Sequence, residues 1–206
     1  MNRRTQTALW CLGLALASCG TLIKQPAPVI AYYQLEYAPP AARSTNVSAT
    51  LMIAPLRIAP EYDRDTLVYR DEAYRAGFYL NDQWMANPAR QLTEKLVRDF
   101  QATRLFAGVF TAGTFQKPDY VLHGTIRELG EQRAPDARFG SVAIAFTLTH
   151  AAGSGAPQIV FQRTYEQRVP CKDKTVNALV EAIGAAMHGV VCEVVDEVDS
   201  AVSTAH

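Results

Sequence analysis

The clearest pattern in the chain runs over residues 141–151, where Val142, Ile144, Phe146 and Leu148 alternate with Ala143, Ala145, Thr147 and Thr149. A period of two sends successive side chains to opposite faces of an extended chain, so this run predicts a strand with one buried face. The Gly153-Ser154-Gly155 turn leads into a second run over 158–169, and the two predict an antiparallel hairpin. Another strand is expected over 119–129. Towards the N-terminus, 32–37 is aromatic and alternating and is stopped by Pro39 and Pro40. Residues 50–58 carry Leu-Met-Ile and Leu-Arg-Ile around Pro55, which implies two short strands or an edge strand with a bulge, and 67–70 makes the next strand.

Elsewhere the spacing changes to three and four. Leu92, Leu96 and Phe100 place one apolar stripe on a helix that Asn87-Pro88 starts, the Asn as cap and the Pro in the first turn, and that ends near Thr103. Val176, Leu179, Val180, Ile183, Met187, Val190, Val191, Val194 and Val198 predict a long helix over 173–202 with one buried face. Strands and helices in this order predict an α/β (α+β) fold: a two-layer sandwich, with two main helices packed on one face of a mostly antiparallel mixed sheet.

Residues 71–87 fit neither period. Tyr74, Phe78, Tyr79 and Trp84 crowd there among charges, and the segment reads as a hairpin or ordered loop. With Tyr69 and Arg70 on the preceding strand they are the candidate partner-binding residues, because exposed aromatics beside arginine are what protein interfaces concentrate. Arg70 or Arg75 is placed to stack on Trp84. A small second core under a long loop explains the same residues, and the pattern leaves both readings open.

The first residues change the picture of where the domain works. Residues 1–7 carry Arg3 and Arg4 with no acidic neighbour, and 8–17 are almost wholly apolar but fall short of the roughly 20 residues a bilayer span needs. Leu16-Ala17-Ser18-Cys19 resembles a lipobox, with cleavage between Ser18 and Cys19 and a diacylglyceryl group, joined by an acyl chain such as palmitate, on Cys19. Two or three acyl chains hold a protein on a membrane far more firmly than one. The expected organisation is a signal peptide over 1–18, a lipidated tether over 19–31 reaching at most about 40 Å, and one domain over 32–206. Gly20 stands where an Asp would favour inner-membrane retention, which by resemblance sends the protein to the periplasmic face of the outer membrane.

Without residues 1–18, 18 basic residues face 20 acidic ones, a formal charge of −2, and nothing draws the chain to nucleic acid. No second apolar stretch is free enough of charge to read as a membrane span. There is no Gly-x-Ser-x-Gly elbow, and His123, His150, His188 and His206 form no metal-binding spacing. His188 and Cys192 lie four apart on the long helix, but two ligands do not make a metal site, and a core thiol beside a flanking His explains them. Cys171 precedes that helix and Cys192 lies well along it, roughly 25 Å away if the helix is unbroken, too far for a disulfide unless Gly184 or Gly189 folds it back. The expectation is no enzyme, no metal and no cofactor beyond the covalent lipid.

In order and spacing, several pieces resemble the ABC-type transport auxiliary lipoprotein component family, the PqiC-like lipoproteins that accompany proteins with the mammalian-cell-entry (MCE) domain. They are Tyr32-Tyr33-Gln34-Leu35 soon after the lipobox, Val68-Tyr69-Arg70, the stretch from Tyr79 through Trp84 to Pro88, Asp119-Tyr120-Val121-Leu122, and Ala178-Leu179 in the terminal helix. The resemblance implies a non-enzymatic auxiliary component of an intermembrane lipid transport system, docking an MCE-domain protein and its ABC permease and ATPase at the outer membrane. Phospholipid is the implied cargo, and self-association is left open. Two other classes remain on the residues alone: a lipoprotein that assists outer-membrane or lipopolysaccharide assembly, and a periplasmic enzyme.

Overall fold

One long strand organises the molecule. In a computed structural model describing residues 28–72, 74–113, 117–151 and 155–204, the elements follow as β1 (Ala31–Tyr33), β2 (Val47–Ile53), β3 (Arg57–Ile58), β4 (Thr66–Glu72), β5 (Arg75–Trp84), α1 (Pro88–Thr103), β6 (Phe106–Thr111), β7 (Tyr120–Arg133), β8 (Arg138–His150), β9 (Gln158–Pro170) and α2 (Val176–Thr204). Strand β7 pairs antiparallel with β8 along one edge, from Tyr120↔His150 to Arg133↔Arg138, and β9 continues antiparallel on β8. The other edge of β7 is shared by three short parallel neighbours in succession: β2 at Tyr120–Leu122, β3 at Thr125 and Ile126, and β4 at Glu131 and Gln132. Beyond them β6 lies parallel on β2, β5 antiparallel on β4, and β1 parallel on β5. The sheet is therefore forked. Its long ladders are antiparallel, as predicted, and its parallel ladders are short.

The core forms where the sequence periods meet. Ile144, Phe146 and Leu148 of β8 and Leu122 and Ile126 of β7 are wholly buried, as are Leu96 and Phe100 of α1 and Ile183, Met187, Val190 and Val194 of α2. Helix α2 has the length and apolar composition of a membrane span, yet thirteen of its residues are buried, so it is the core helix of the fold. It stays continuous through Gly184 and Gly189, and Cys171 and Cys192 are both free. Gly140 of β8 brings sheet and helix unusually close, since a Cβ there would stand 2.4 Å from the Ile183 backbone nitrogen.

The local signals around α1 are realised. The Asn87 side chain accepts hydrogen bonds from the Ala89 and Arg90 amides at 3.0 and 3.4 Å, and Arg104 closes the helix at φ 57°. Asn87→Ala should lower unfolding free energy by about 1 kcal/mol, measured by urea denaturation.

Two expectations are corrected. The first strand ends at Tyr33 rather than Tyr37, because the chain from Leu35 leaves the sheet and crosses both helices. Leu35 is buried, Tyr37 Oη donates to Asp99 Oδ2 of α1 at 2.7 Å, and the Ala38 carbonyl meets His188 Nδ1 of α2 at 2.8 Å. Gly184 admits this strap, the Glu36 carbonyl lying 2.5 Å from where a Cβ would be. Strand β6 has no counterpart in the periodicity reading. Of the two readings left for residues 71–87, a hairpin or an ordered loop, the hairpin holds: Arg75–Trp84 form the ten-residue strand β5 paired on β4, so the ordered-loop alternative is the one set aside. The lipobox with Cys19, the tether before residue 28, the turn residues 152–154 and His206 lie outside the described residues.

Candidate docking site

Strands β4 and β5 form an antiparallel hairpin, and pairing Tyr69↔Gly77 and Val68↔Phe78 divides their side chains between the two faces. Because Tyr69 also pairs with Glu131 of β7, one face of the hairpin meets the charged end of the longest strand. There Tyr79 Oη donates to Glu131 Oε2 at 2.7 Å and Arg133 Nε donates to the same oxygen at 2.8 Å. Arg138 Nε lies 3.3 Å from Glu131 Oε1, and Arg133 Nη1 reaches Asp71 at 3.2 Å. The Arg133 guanidinium lies 3.6 Å from the Tyr69 ring centroid, and Tyr69 and Tyr79 meet edge to face at 5.7 Å. Glu131 is only 2% exposed. Its charge is tolerated because two guanidinium groups and a phenol surround it.

On the other face Arg70 Nε donates to Tyr62 Oη at 2.9 Å and its Nη2 pairs with Glu61 at 3.2 Å, while Arg64 lies 4.6 Å over the Phe78 ring. Such bonds fix side chains before any partner arrives, which lowers the entropy lost on binding.

Of the six residues singled out in the sequence, Tyr69, Arg70 and Tyr79 are part-buried and held in these clusters, and Tyr74 and Phe78 are exposed. Trp84 is the correction. It is 4% exposed and lines an apolar seam with Leu35, Pro88, Leu92 and Leu129, because β5 ends beneath α1. Arginine stacking is also redistributed: the cations face Tyr62, Tyr69, Phe78 and Tyr79 rather than Trp84. Arg133, Glu131, Arg64 and Tyr62 were not singled out. Nothing local marks them, since Arg133 meets Tyr79 across 54 residues of chain.

The chemistry available is recognition. Burial, followed by the bond to Glu131, pushes the Tyr79 phenol up to about 12, so it stays protonated at neutral pH and offers no base. Burial opposes the Arg133 charge, yet its bond to Tyr79 and the nearby Glu131 raise its pKa overall. Beside this cluster a cleft of about 530 Å³ is lined by Arg133, Arg138, Cys171, Lys172 and Lys174 with Asp136 and Asp173, a mixed-charge surface. Burial first, then Glu131, raises the Cys171 thiol, the opposite of what a reactive cysteine requires. On α2 the Cys192 Sγ lies 3.6 Å from His188 Nε2. Among the described residues no three His, Cys, Asp or Glu groups converge as metal ligands.

Residues 33–195 match the family described as ABC-type transport auxiliary lipoprotein component. No curated protein matches the chain. Among solved structures, protein XCC0632 from Xanthomonas campestris, assigned to DUF330, is similar over 85% of this chain and 98% of its own, with a TM-score of 0.72 and 20% identity. Protein CT253 from Chlamydia trachomatis covers 76% of this chain and 98% of its own, with a TM-score of 0.54 and 9% identity. At these identities the likeness is one of fold.

Proposed function

Because this chain belongs to the ABC-type transport auxiliary lipoprotein component family, we propose that it is the non-enzymatic, membrane-anchored docking component of an MCE-linked lipid transport system. Cleavage before Cys19 and acylation of its thiol would fix it to the periplasmic face of the outer membrane. The tether over 19–31 is too short to bridge two membranes, so an MCE-domain protein and its ABC permease and ATPase must supply the rest of the route for phospholipid.

The observation that carries the reading is the preorganised arginine–tyrosine surface of the β4–β5 hairpin, with Tyr69 and Tyr79 packed around Arg133 and Arg70 held against Tyr62. Interfaces concentrate these side chains and take most of their energy from a few of them. Capture of the acylated protein from solubilised membranes is expected to recover an MCE-domain protein. Combining Tyr69→Ala with Arg70→Glu should weaken that capture by about 2 kcal/mol or more. Recovery of neither an MCE-domain protein nor a permease would count heavily against the reading.

A further inference from the structure

The apolar side chains left in water are gathered on one edge. Of the nine large hydrophobic residues exposed among the described residues, seven lie on β1, on β5 or directly beside them: Val29, Ile30, Tyr32, Tyr74, Phe78, Leu80 and Met85. Leu80 is 82% exposed and Tyr74 fully so. The other two, Ile159 and Val160, sit on β9 at the opposite margin of the sheet. A concentration of this kind marks a surface that something covers.

The path of the chain indicates what covers it. Strand β1 runs parallel to β5 with Ala31 opposite Asp82, and carrying that register back sets Ile30 level with Asn81 and Val29 level with Leu80. Residues 29 and 30, the described side of the chain towards Cys19, therefore lead into this edge. Val29 lies ten positions after Cys19, a reach of at most about 35 Å.

Charge is arranged to match. Arg64 lies over Phe78, and Arg75, where β5 begins, is 65% exposed while pairing with Asp71; Asp82 on the same strand is held by the Tyr33 hydroxyl. On the far side, α2 carries Glu193, Asp196, Glu197 and Asp199 on its last turns, with Glu193 bonded to Gln167 and Glu197 to Arg163 of β9.

We propose that the β1–β5 edge seats on the phospholipid bilayer that holds the anchor, with Tyr74, Phe78, Leu80, Val29 and Ile30 entering the boundary between headgroups and acyl chains. Tyrosine suits that boundary because its ring is apolar and its hydroxyl is not. Arginines near the edge meet anionic headgroups, and the acidic helix end is kept away from them. Tyr74 and Phe78, read from the sequence as partner contacts, serve the membrane, leaving Tyr69, Arg70 and Tyr79 to the docked protein. This inference rests on acylation at Cys19.

The test uses the full mature acylated protein in vesicles of phosphatidylethanolamine and phosphatidylglycerol with brominated acyl chains. Separate variants carry Leu80→Trp, Tyr74→Trp and, as a far-edge control, Ile159→Trp, with native Trp84 giving the baseline. Insertion a few ångströms below the headgroups should quench the emission added at positions 80 and 74 by about twofold and leave that added at 159 unchanged. Flotation with the vesicles but no quenching at 80 or 74 overturns the seating and leaves the anchor intact. Failure to float overturns the anchor reading and the seating with it. Emission from position 80 that shifts to the blue without vesicles as protein concentration rises gives the edge to a second copy. A shift that requires added MCE-domain protein gives it to that partner, and either result overturns the proposal.

Discussion

Replacing Trp84 by Ala is expected to destabilise the domain by about 3–5 kcal/mol, lowering the thermal midpoint by about 10 °C for a chain of this size. The indole is 4% exposed and fills the seam among Leu35, Pro88, Leu92 and Leu129, where strap, helix and two strands converge. Removing it takes apolar area out of the core and leaves a cavity that four separate elements must close. Scanning calorimetry measures the effect, and capture of the partner by the fraction still folded should be unchanged. A variant that kept its midpoint and lost its partner would return Trp84 to the interface. Because Trp84 ends the second strand of the docking hairpin and lies under α1, the same residue ties the recognition surface to the core.

The second large effect is expected at Gly140. Introducing Val there should cost about 3 kcal/mol or more, since its Cβ would lie 2.4 Å from Ile183 N and 2.5 Å from the Ala182 carbonyl carbon. Those are backbone atoms of α2, about two turns from its start, and they cannot swing aside as a side chain can. The helix must lift from β8, opening contacts at Ile183, Met187 and Val190 together. Gly108→Ala provides the contrast, because its Cβ would meet Thr50 Cγ2 at an ordinary 3.6 Å and little change is expected. Urea denaturation of the two variants side by side separates close packing from any general intolerance of glycine replacement.

What could be read from the sequence was what local chemistry determines. The alternation from Val142 to Leu148 and the stripe Leu92, Leu96, Phe100 each state a period and a buried face, and both faces are buried as read. Asn87 and Pro88 mark the start of α1 through bonds within a few residues. Pro55 separates β2 from β3 because a proline has no amide to give a ladder. Harder to see were features whose cause lies far along the chain. Strand β6 has an exposed Ala107 and a mid-strand Gly108, so it shows no clean alternation, and its place is set by pairing with β2 some 58 residues earlier, as between Thr50 and Gly108. Strand β5 is an irregular outer strand: between the pairs Thr66↔Gln83 and Val68↔Phe78 it spends five residues against two, which breaks its period.

The candidate site divides in the same way. Aromatic density between Tyr69 and Trp84 marked the hairpin, but a run of aromatics does not say which ring turns inward. That choice is made by Leu35, Leu92 and Leu129 for Trp84, and by Glu131 and Arg133 for Tyr69 and Tyr79. The anchor is the opposite case. Its reading rests on four adjacent residues, Leu16-Ala17-Ser18-Cys19, which lie outside the described residues, so tertiary context plays no part in it.

The forked sheet has a consequence for how the molecule yields. The arm made of β4, β5 and β1 shares only two ladder pairs with β7, Tyr69↔Glu131 and Arg70↔Gln132, and is otherwise held by side chains: Tyr79 and Asp71 on Glu131 and Arg133, and Trp84 beneath α1. The arm of β2 and β6 meets β7 elsewhere and shares no ladder with it. Local opening follows such lines of weak connection. A pull arriving through the N-terminal segment would first meet the three pairs that join β1 to β5, while β7, β8 and β9 keep their long ladders. Next in line is the strap, which Leu35, Tyr37 and Ala38 fasten across both helices, so tension would be borne there before it reached β2 and the core.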